Sequence, residues 1–175
     1  HLAHLVAGEA ARQQARLDVV SFLPAGAPWQ KADLDVSDPE HRWAMTRLAV
    51  EGVASFEADH REVRRDGWTY TVDTLATFPD EEDLVLVVGA DAAAGMRSWH
   101  RFEEVLDRAE VAVVPRPGVE RAQVEAAVGE HHWIDTPALD ISGTMIRARR
   151  RAGLTVRFLV PEPVLGYLDE HRLYG

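Results

Sequence analysis

The chain has 175 residues, of which 46% are apolar and 27% are charged, and its formal net charge is −10. These totals fit a single domain over residues 1–175, and the acidic balance argues against the broad basic surface that bulk nucleic-acid binding requires. No run of residues approaches the ~20 apolar positions needed to cross a membrane. The absence of cysteine excludes disulfides and thiol chemistry and favours the cytoplasm.

Short apolar runs alternate with longer amphipathic stretches along the chain. The first half predicts, in order, a helix over 1–16, a strand in LDVVSFLPAG, a helix in DPEHRWAMTRLAVEG, a strand in ASFEADHREVRR up to Val63, a helix start in TYTVDTLATFP and a buried strand in DLVLVVGAD. The second half predicts a helix in WHRFEEVLDRA, a buried strand in AEVAVVPRPG, a helix in GVERAQVEAAVGEH, a brief strand in HHWIDTP, a helix in SGTMIRARRRAG and a last short helix opened by Pro163. This alternation predicts a Rossmann-like α/β fold, with one parallel sheet, helices on both faces and a helical subregion over 142–175.

Several candidate site residues follow the predicted strands. Ligands of such sheets bind beyond the carboxyl ends of the strands. Lys31 follows the first strand, Gly89 and Asp91 follow a buried strand, and Arg116 follows the next one. Lys31 is the sole lysine among 19 basic residues, which indicates either a required compact charge or chance in an exposed loop. Gly89 and Asp91 also fit an ordinary turn. The pattern predicts a site for a nucleotide or a phosphorylated metabolite.

Two further groups of residues could bind phosphate. Ser142 and Thr144 lie at the start of a predicted helix, where backbone N–H groups and the helix dipole attract anions, and Arg147 follows one turn later. A plain Ser/Thr cap with a surface arginine explains the same letters. His1 and His4 share one helix face, and imidazoles can donate to phosphate oxygens, although a chance surface pair is the alternative.

Seven short motifs resemble, in order and spacing, those of the HxGH-type nucleotidyltransferases, and in particular the bacterial nicotinate-mononucleotide adenylyltransferases. They are HLAH, LPAGAPWQK, TYTVDTL, GADAAAGMRSWHRFEEVL, VVPRPG, ISGTMIR and VRFLVPEPVLGYLDEHRLY, and they span essentially the whole chain. The resemblance implies transfer of the adenylyl group of ATP to nicotinate mononucleotide, which gives deamido-NAD and pyrophosphate. It also implies Mg²⁺ as a cofactor bound through the phosphates, without a direct protein ligand.

The resemblance implies a role for each candidate residue. The catalytic residues would be His1, His4, Lys31 and Arg147; the other ATP-binding residues would be Gly89, Asp91, Ser142 and Thr144; and the substrate-binding residues would be Tyr70, Thr71, Trp99 and Arg116. Trp99 would stack on the pyridine ring, although a core or interface aromatic is the alternative. Tyr70 and Thr71 would offer donors to the nicotinate carboxylate, which favours nicotinate over nicotinamide.

The sequence departs from the family pattern in two positions and at its start. Ala3 occupies the position of the family glycine between the two histidines, where its methyl could weaken ATP binding, and Gly143 replaces a serine. The family has a strand and a Gly-rich loop ahead of the first histidine. We therefore expect that strand and that loop to precede His1 in the native protein.

Two other functions remain open at this point. Phosphopantetheine adenylyltransferases share the fold and the outer motifs, although TYTVDTL and the Trp-His-Arg stretch argue against that substrate. A non-catalytic nucleotide-binding module is supported by Ala3 alone. The expected partners are ATP and nicotinate mononucleotide, with no nucleic acid, no membrane and a possible homodimer.

Overall fold

Two parallel sheets and eight α-helices form the described part of the molecule, which in this computed structural model is residues 1–27 and 37–175. The strands are β1 (Val20–Phe22), β2 (Phe56–Ala58), β3 (Val85–Gly89), β4 (Glu110–Val114) and β5 (His132–Trp133). The helices are α1 (Leu2–Gln14), α2 (Pro39–Val50), α3 (Thr71–Leu75), α4 (Ala90–Ala94), α5 (Phe102–Arg108), α6 (Arg121–Val128), α7 (Gly143–Arg151) and α8 (Glu162–Glu170), with a short 3-10 helix at Met96–Ser98. No helix of these residues is both long and apolar enough to span a bilayer.

All strand pairs are parallel, which confirms the α/β class expected from the sequence. β1 pairs with β2, and β4 lies between β3 and β5. The described strands thus form two sheets and not the single sheet predicted. Among the described residues no hydrogen bonds join the two sheets, and a large cavity lined by residues of both β1 and β3 lies between them.

The main core lies under β3 and β4. The valine-rich sequence of β4 places Val111, Ala112 and Val113 in fully buried positions, as expected for a strand that is covered on both faces. Residues of α3 to α6 pack against it in one apolar cluster. This packing fixes the positions of the carboxyl ends of β3 and β4, and hence the positions of the residues that follow them.

A second apolar cluster joins the C-terminal helices to the start of the chain. Ile146 of α7 and Leu168 of α8 are buried in it, and Leu2 and Ala3 of α1 pack against it. The Leu2 N–H also donates to the Leu159 carbonyl at 2.9 Å. The start of α1 is thereby held against this C-terminal cluster.

The predicted start of α2 and the predicted end of α7 agree with the structure, whereas one predicted strand is too long. Asp38 caps α2 by accepting from the Glu40 N–H at 3.0 Å, and Gly153, with φ +67°, follows the end of α7. The strand predicted up to Val63 is wrong beyond Ala58. The Asp59 carboxylate accepts from the backbone N–H of Arg61 at 2.8 Å, which turns the chain out of the sheet. The sequence analysis also did not predict α4.

Candidate active site

A cavity of about 2940 Å³ lies between the two sheets and reaches the carboxyl ends of β3 and β4. Eight of the predicted site residues line it: His1, His4, Thr71, Gly89, Asp91, Trp99, Arg116 and Arg147. Tyr70, Ser142 and Thr144 are not among its lining residues. Lys31 lies outside the described residues. The cavity extends beyond the opposite end of β3, so the contacts below define the closer groupings.

The two histidines form a stacked pair at the start of α1. Their ring centroids are 3.8 Å apart and their planes are inclined by 26°. His1 is half-buried, and its Nδ1 is buried without a hydrogen-bond partner among the described residues, whereas His4 is exposed. Ala3 lines the cavity and also packs against the C-terminal cluster. An imidazole nitrogen with unused hydrogen-bonding capacity at a helix start suits an anionic ligand.

The side chains of Asp91 and Arg116 both lie beside Gly89, where β3 and β4 end. Gly89 pairs in register with Val114, so that Arg116 follows only two residues beyond the sheet. A Cβ on Gly89 would lie 2.7 Å from Asp91 Oδ1 and 3.4 Å from Arg116 Nε. Gly89 has φ −72° and ψ 152°, a conformation that any residue adopts. This glycine is therefore required for space and not for backbone freedom.

The start of α7 combines a capping serine with a folded-back arginine. The Ser142 hydroxyl accepts from the Met145 N–H at 3.1 Å, so the cap interpretation is correct for this side chain. Arg147 Nη2 donates to Thr144 Oγ1 at 3.2 Å. The other terminal nitrogen, Nη1, would lie 3.1 Å from a Cβ on Gly143. The guanidinium thus lies over the first turn of α7 and lines the cavity.

The residues predicted to bind the nicotinate group differ in their surroundings, because Trp99 and Thr71 line the cavity and Tyr70 does not. Trp99 is half-buried, packs against the main core cluster and lines the cavity, and its stacking on a pyridine ring stays a prediction. Thr71 opens α3 and lines the cavity as well. The Tyr70 ring instead packs against the His100 ring in a tilted arrangement, at a centroid distance of 4.4 Å. Sequence analysis gave no signal for that pair, because the two residues lie on separate segments.

Arg42 is a second residue that the sequence analysis missed. It lies on α2, is half-buried and lines the cavity. Its guanidinium donates to the main-chain carbonyls of Ala25, Gly26 and Ser37. In the sequence it is one arginine among the polar residues of an amphipathic helix. Nothing in that pattern indicates three backbone partners.

The described residues contain no cluster of three or more His, Asp or Glu side chains able to hold a metal ion. Asp91 is an exposed single carboxylate that lines the cavity. Mg²⁺ keeps several waters and is commonly held by one or two carboxylates together with substrate phosphates. A single carboxylate of this kind is compatible with a metal that arrives on a nucleotide.

Comparison with known proteins places this arrangement in a family. The family model described as cytidylyltransferase-like matches residues 1–149. This chain belongs to the cytidylyltransferase-like family. The chain is 40% identical to proteins of Salinibacter ruber and Streptomyces coelicolor, each named "Probable nicotinate-nucleotide adenylyltransferase". Both alignments cover 99% of this chain, and they cover 91% and 94% of the two relatives. The family expected from the seven motifs is confirmed.

Solved structures support the same fold for this cytidylyltransferase-like protein. It superimposes on Plasmodium falciparum nicotinic acid mononucleotide adenylyltransferase complexed with APC (TM-score 0.79) and on the same protein complexed with NaAD (TM-score 0.80). Both matches cover 99% of this chain and 90% of the other at 14% identity. At that identity the likeness establishes the Rossmann-like nucleotidyltransferase fold.

Proposed function

We propose that the protein is a nicotinate-nucleotide adenylyltransferase, which transfers the adenylyl group of ATP to nicotinate mononucleotide in NAD biosynthesis. Relatives with that name are 40% identical over 99% of the chain. The observation that carries the proposal in the structure is that the His1–His4 pair, Arg116 and Arg147 all line one cavity. Two phosphorylated substrates need such cationic and hydrogen-bonding groups on one site.

The reaction requires positioning more than proton transfer. A phosphate oxygen of nicotinate mononucleotide attacks the α-phosphorus of ATP and forms the new P–O bond. The bond from the α-phosphorus to the bridging oxygen of the β-phosphate breaks, and pyrophosphate leaves. The attacking oxygen is already anionic, so no general base is needed. Alignment of the two substrates and neutralisation of developing charge supply the catalysis.

On the ATP side, His1 and His4 would donate to phosphate oxygens, and Arg147 would hold the departing pyrophosphate. Arg147 lines the cavity, and its Nη2 donates to Thr144 Oγ1. The other N–H groups of the guanidinium would then donate to phosphate oxygens. Ser142 supports the same site by capping the helix. Lys31 would add a compact charge from its own segment.

At the carboxyl ends of the strands, Gly89 would admit the nucleotide close to the backbone, and Asp91 would contact ribose hydroxyls or the water shell of Mg²⁺. Mg²⁺ bound to the ATP phosphates would neutralise charge on the leaving group. Arg116, which lies beside Gly89, would add positive charge near the acceptor. We place the reaction in the cytoplasm, where ATP is available.

On the acceptor side, Trp99 would stack on the pyridine ring, because it is the aromatic side chain among these candidates that lines the cavity. Thr71 would donate to the nicotinate carboxylate. Tyr70 would act through its backbone, since its ring is occupied by His100. Donors placed for a carboxylate favour nicotinate over nicotinamide.

The test is pyrophosphate release by the purified protein with ATP and Mg²⁺. Nicotinate mononucleotide, nicotinamide mononucleotide and phosphopantetheine are offered separately. We expect release with the first substrate, at a kcat/KM well above that for the second. Release with phosphopantetheine alone would overturn the substrate assignment. Silence with all three, together with ATP binding, would favour a non-catalytic module. Omission of Mg²⁺ should abolish release if the metal has the proposed role.

A further inference from the structure

A hydrogen-bond network joins the chain segment that follows β2 to the short helix α3. The Thr74 hydroxyl donates to Glu62 Oε1 at 2.6 Å and accepts from Arg65 Nη1 at 3.1 Å. Arg65 Nη2 also donates to the Asp73 carbonyl at 3.3 Å. Thr74 is buried, and Glu62 and Arg65 are half-buried. None of these three side chains is among the substrate-binding candidates.

The Glu62 carboxylate gives up hydration in order to accept from Thr74. Burial raises the pKa of this carboxyl, whereas the hydrogen bond from Thr74 and then the charge of Arg65 lower it. A half-buried carboxylate is stable in one place only where donors satisfy it. Glu62 is therefore a fixed acceptor, and the helix that carries Thr74 is tied to it.

Helix α3 depends on such contacts for its orientation. It has only five residues, Thr71–Leu75, and its N-cap residue Tyr70 makes no side-chain capping hydrogen bond. A helix of this length is not stable by itself, so its surroundings set its position. Val72 and Leu75 are buried in the main core cluster, whereas the polar Thr74 is held by Glu62. Apolar packing and one hydrogen bond together fix the rotation of α3 about its axis.

Thr71 lies on the part of the α3 surface where that rotation matters. Residues three and four positions apart are neighbours on a helix, so Thr71 lies between Thr74 and Leu75. All three residues line the cavity, together with Glu62. A rotation of α3 would therefore redirect the Thr71 hydroxyl within the cavity, and the hydrogen bond from Thr74 to Glu62 opposes such a rotation.

We propose that the Glu62–Thr74 hydrogen bond positions the acceptor substrate, because it fixes the rotation of α3 and thereby the direction in which Thr71 donates. This inference rests on the proposed function, in which Thr71 donates to the nicotinate carboxylate. Glu62 and Thr74 are positioning residues, and neither is assigned a contact with a substrate. The residues proposed for ATP lie on other elements. Loss of the hydrogen bond should therefore weaken binding of nicotinate mononucleotide and leave ATP binding unchanged.

The first test removes the donor and then restores it. Thr74→Val is close in shape and loses the hydroxyl. We expect the KM for nicotinate mononucleotide to rise about tenfold, while the KM for ATP stays within about twofold of wild type. Thr74→Ser retains a hydroxyl and should recover most of the loss. Thr77→Val is the matched control and should match wild type, because the exposed Thr77 hydroxyl contacts Arg61 and the Thr74 carbonyl instead of Glu62.

The second test changes the acceptor. Glu62→Ala removes both carboxylate oxygens and should raise the KM for nicotinate mononucleotide by a factor similar to that of Thr74→Val. Glu62→Gln keeps an oxygen that can accept from Thr74, so this KM should stay within about threefold of wild type. Equal increases in the KM values of both substrates would overturn the proposal. A lower Tm with both KM values unchanged would also overturn it and leave the network a structural role.

The deciding measurement is a double-mutant cycle of Thr74→Val with Thr71→Val. The Kd of nicotinate mononucleotide is measured by calorimetry with a non-reactive ATP analogue present. If the network acts through Thr71, Thr74→Val should have little further effect once the Thr71 hydroxyl is removed. Factors that multiply in the double variant would overturn the proposal, and so would a normal Kd in Thr71→Val. If wild type binds nicotinate mononucleotide without turnover, the proposed function fails and the cycle in Kd still decides this inference.

Discussion

The two sheets support their sides of the cavity by different physical means. The β3–β4–β5 sheet rests on a large buried cluster of apolar side chains. The β1–β2 sheet has strands of three residues, and the turn that follows β1 is held by Arg42, by the Thr69 amide and by contact with the Glu62 carbonyl. In a large apolar cluster, the effect of a change in side-chain volume is spread over many weak contacts. A turn held by a few directional contacts cannot spread the effect in this way. We therefore expect substitutions of glycine, valine and glutamate to affect stability and activity differently in the two regions.

The largest effect is expected for Gly26→Ala. The new Cβ would lie 2.0 Å from the Glu62 carbonyl oxygen, and backbone must move to relieve that contact. We expect the free energy of unfolding to fall by about 3 kcal/mol or more, measured by chemical denaturation. Gly166→Ala in α8 is the control, because no atom other than those of its chain neighbours and of its own helix backbone lies within 4 Å of its Cβ position. A normal midpoint for Gly26→Ala would show that the turn is not fixed as described.

Removing volume from the other sheet should cost less. Val113 of β4 is fully buried, and Val113→Ala removes two methyl groups from the main core. We expect a loss of about 2 kcal/mol in the free energy of unfolding. Val19→Ala makes the same change beside β1 at a position that is 46% exposed, and it should stay within about 0.5 kcal/mol of wild type. Equal losses at the two positions would abolish the contrast between the regions.

Gly89→Ala should separate activity from stability. Its Cβ would lie 2.7 Å from Asp91 Oδ1, which can turn away without backbone movement, and in ordinary contact with Arg116 Nε at 3.4 Å and Cγ at 3.6 Å. We expect Tm to remain close to that of wild type while kcat/KM falls about tenfold, because the Asp91 side chain leaves its place at the site. Gly95→Ala is the control, since the nearest atoms to its Cβ position are 3.7 Å away. A marked loss of stability with normal turnover would refute this account of Gly89.

The smallest effect is a pH dependence on the β1–β2 side. Burial raises the pKa of the Glu62 carboxyl above its usual 4.5, although the Thr74 hydroxyl, which donates to it at 2.6 Å, opposes the change. The folded state therefore binds the proton of the Glu62 carboxyl more tightly than the unfolded state does. The stability that this protonation gives the folded state is lost as pH rises from 4.5 through the raised pKa. Glu62→Gln should lack this loss, so its Tm should gain about 2 °C on wild type between about pH 4 and pH 7.

Glu9→Gln provides the opposite sign for comparison. Hydrogen bonds from Arg12 and then Gln13 lower the pKa of the exposed Glu9 to about 2. Wild type should therefore lose this small stabilisation as pH falls from 4.5 towards 2, and the variant should approach wild type over that range. Parallel Tm curves for wild type and Glu62→Gln would contradict the assignment at Glu62.

Features that depend on neighbouring residues in the sequence were predictable. The valine-rich runs gave β3 and β4, Asp38 and Ser142 gave the caps of α2 and α7, and the ends of the parallel strands placed Gly89 beside Arg116. Each of these follows from local chemistry or from a simple property of parallel sheets.

Features that depend on distant contacts were not predictable. The contact between the His100 and Tyr70 rings and the three carbonyl partners of Arg42 join segments far apart in the sequence, and no local pattern specifies them. The error at Val63 is instructive, because alternating side chains favoured a strand and one Asp59–Arg61 turn contact prevailed over that preference.

β3 and β4 end together, with Gly89 paired to Val114, and this register determines where the chain can accept insertions and deletions. A single insertion within β4 would shift its pairing by one residue, turn the buried valines to the opposite face and carry Arg116 away from Gly89. Gly118, by contrast, is exposed, has φ +84° and has no described atom within 4 Å of its Cβ position. Extra residues there would lengthen only a surface turn. Insertions and deletions in this lineage should therefore accumulate just after Arg116 and be rare just before it.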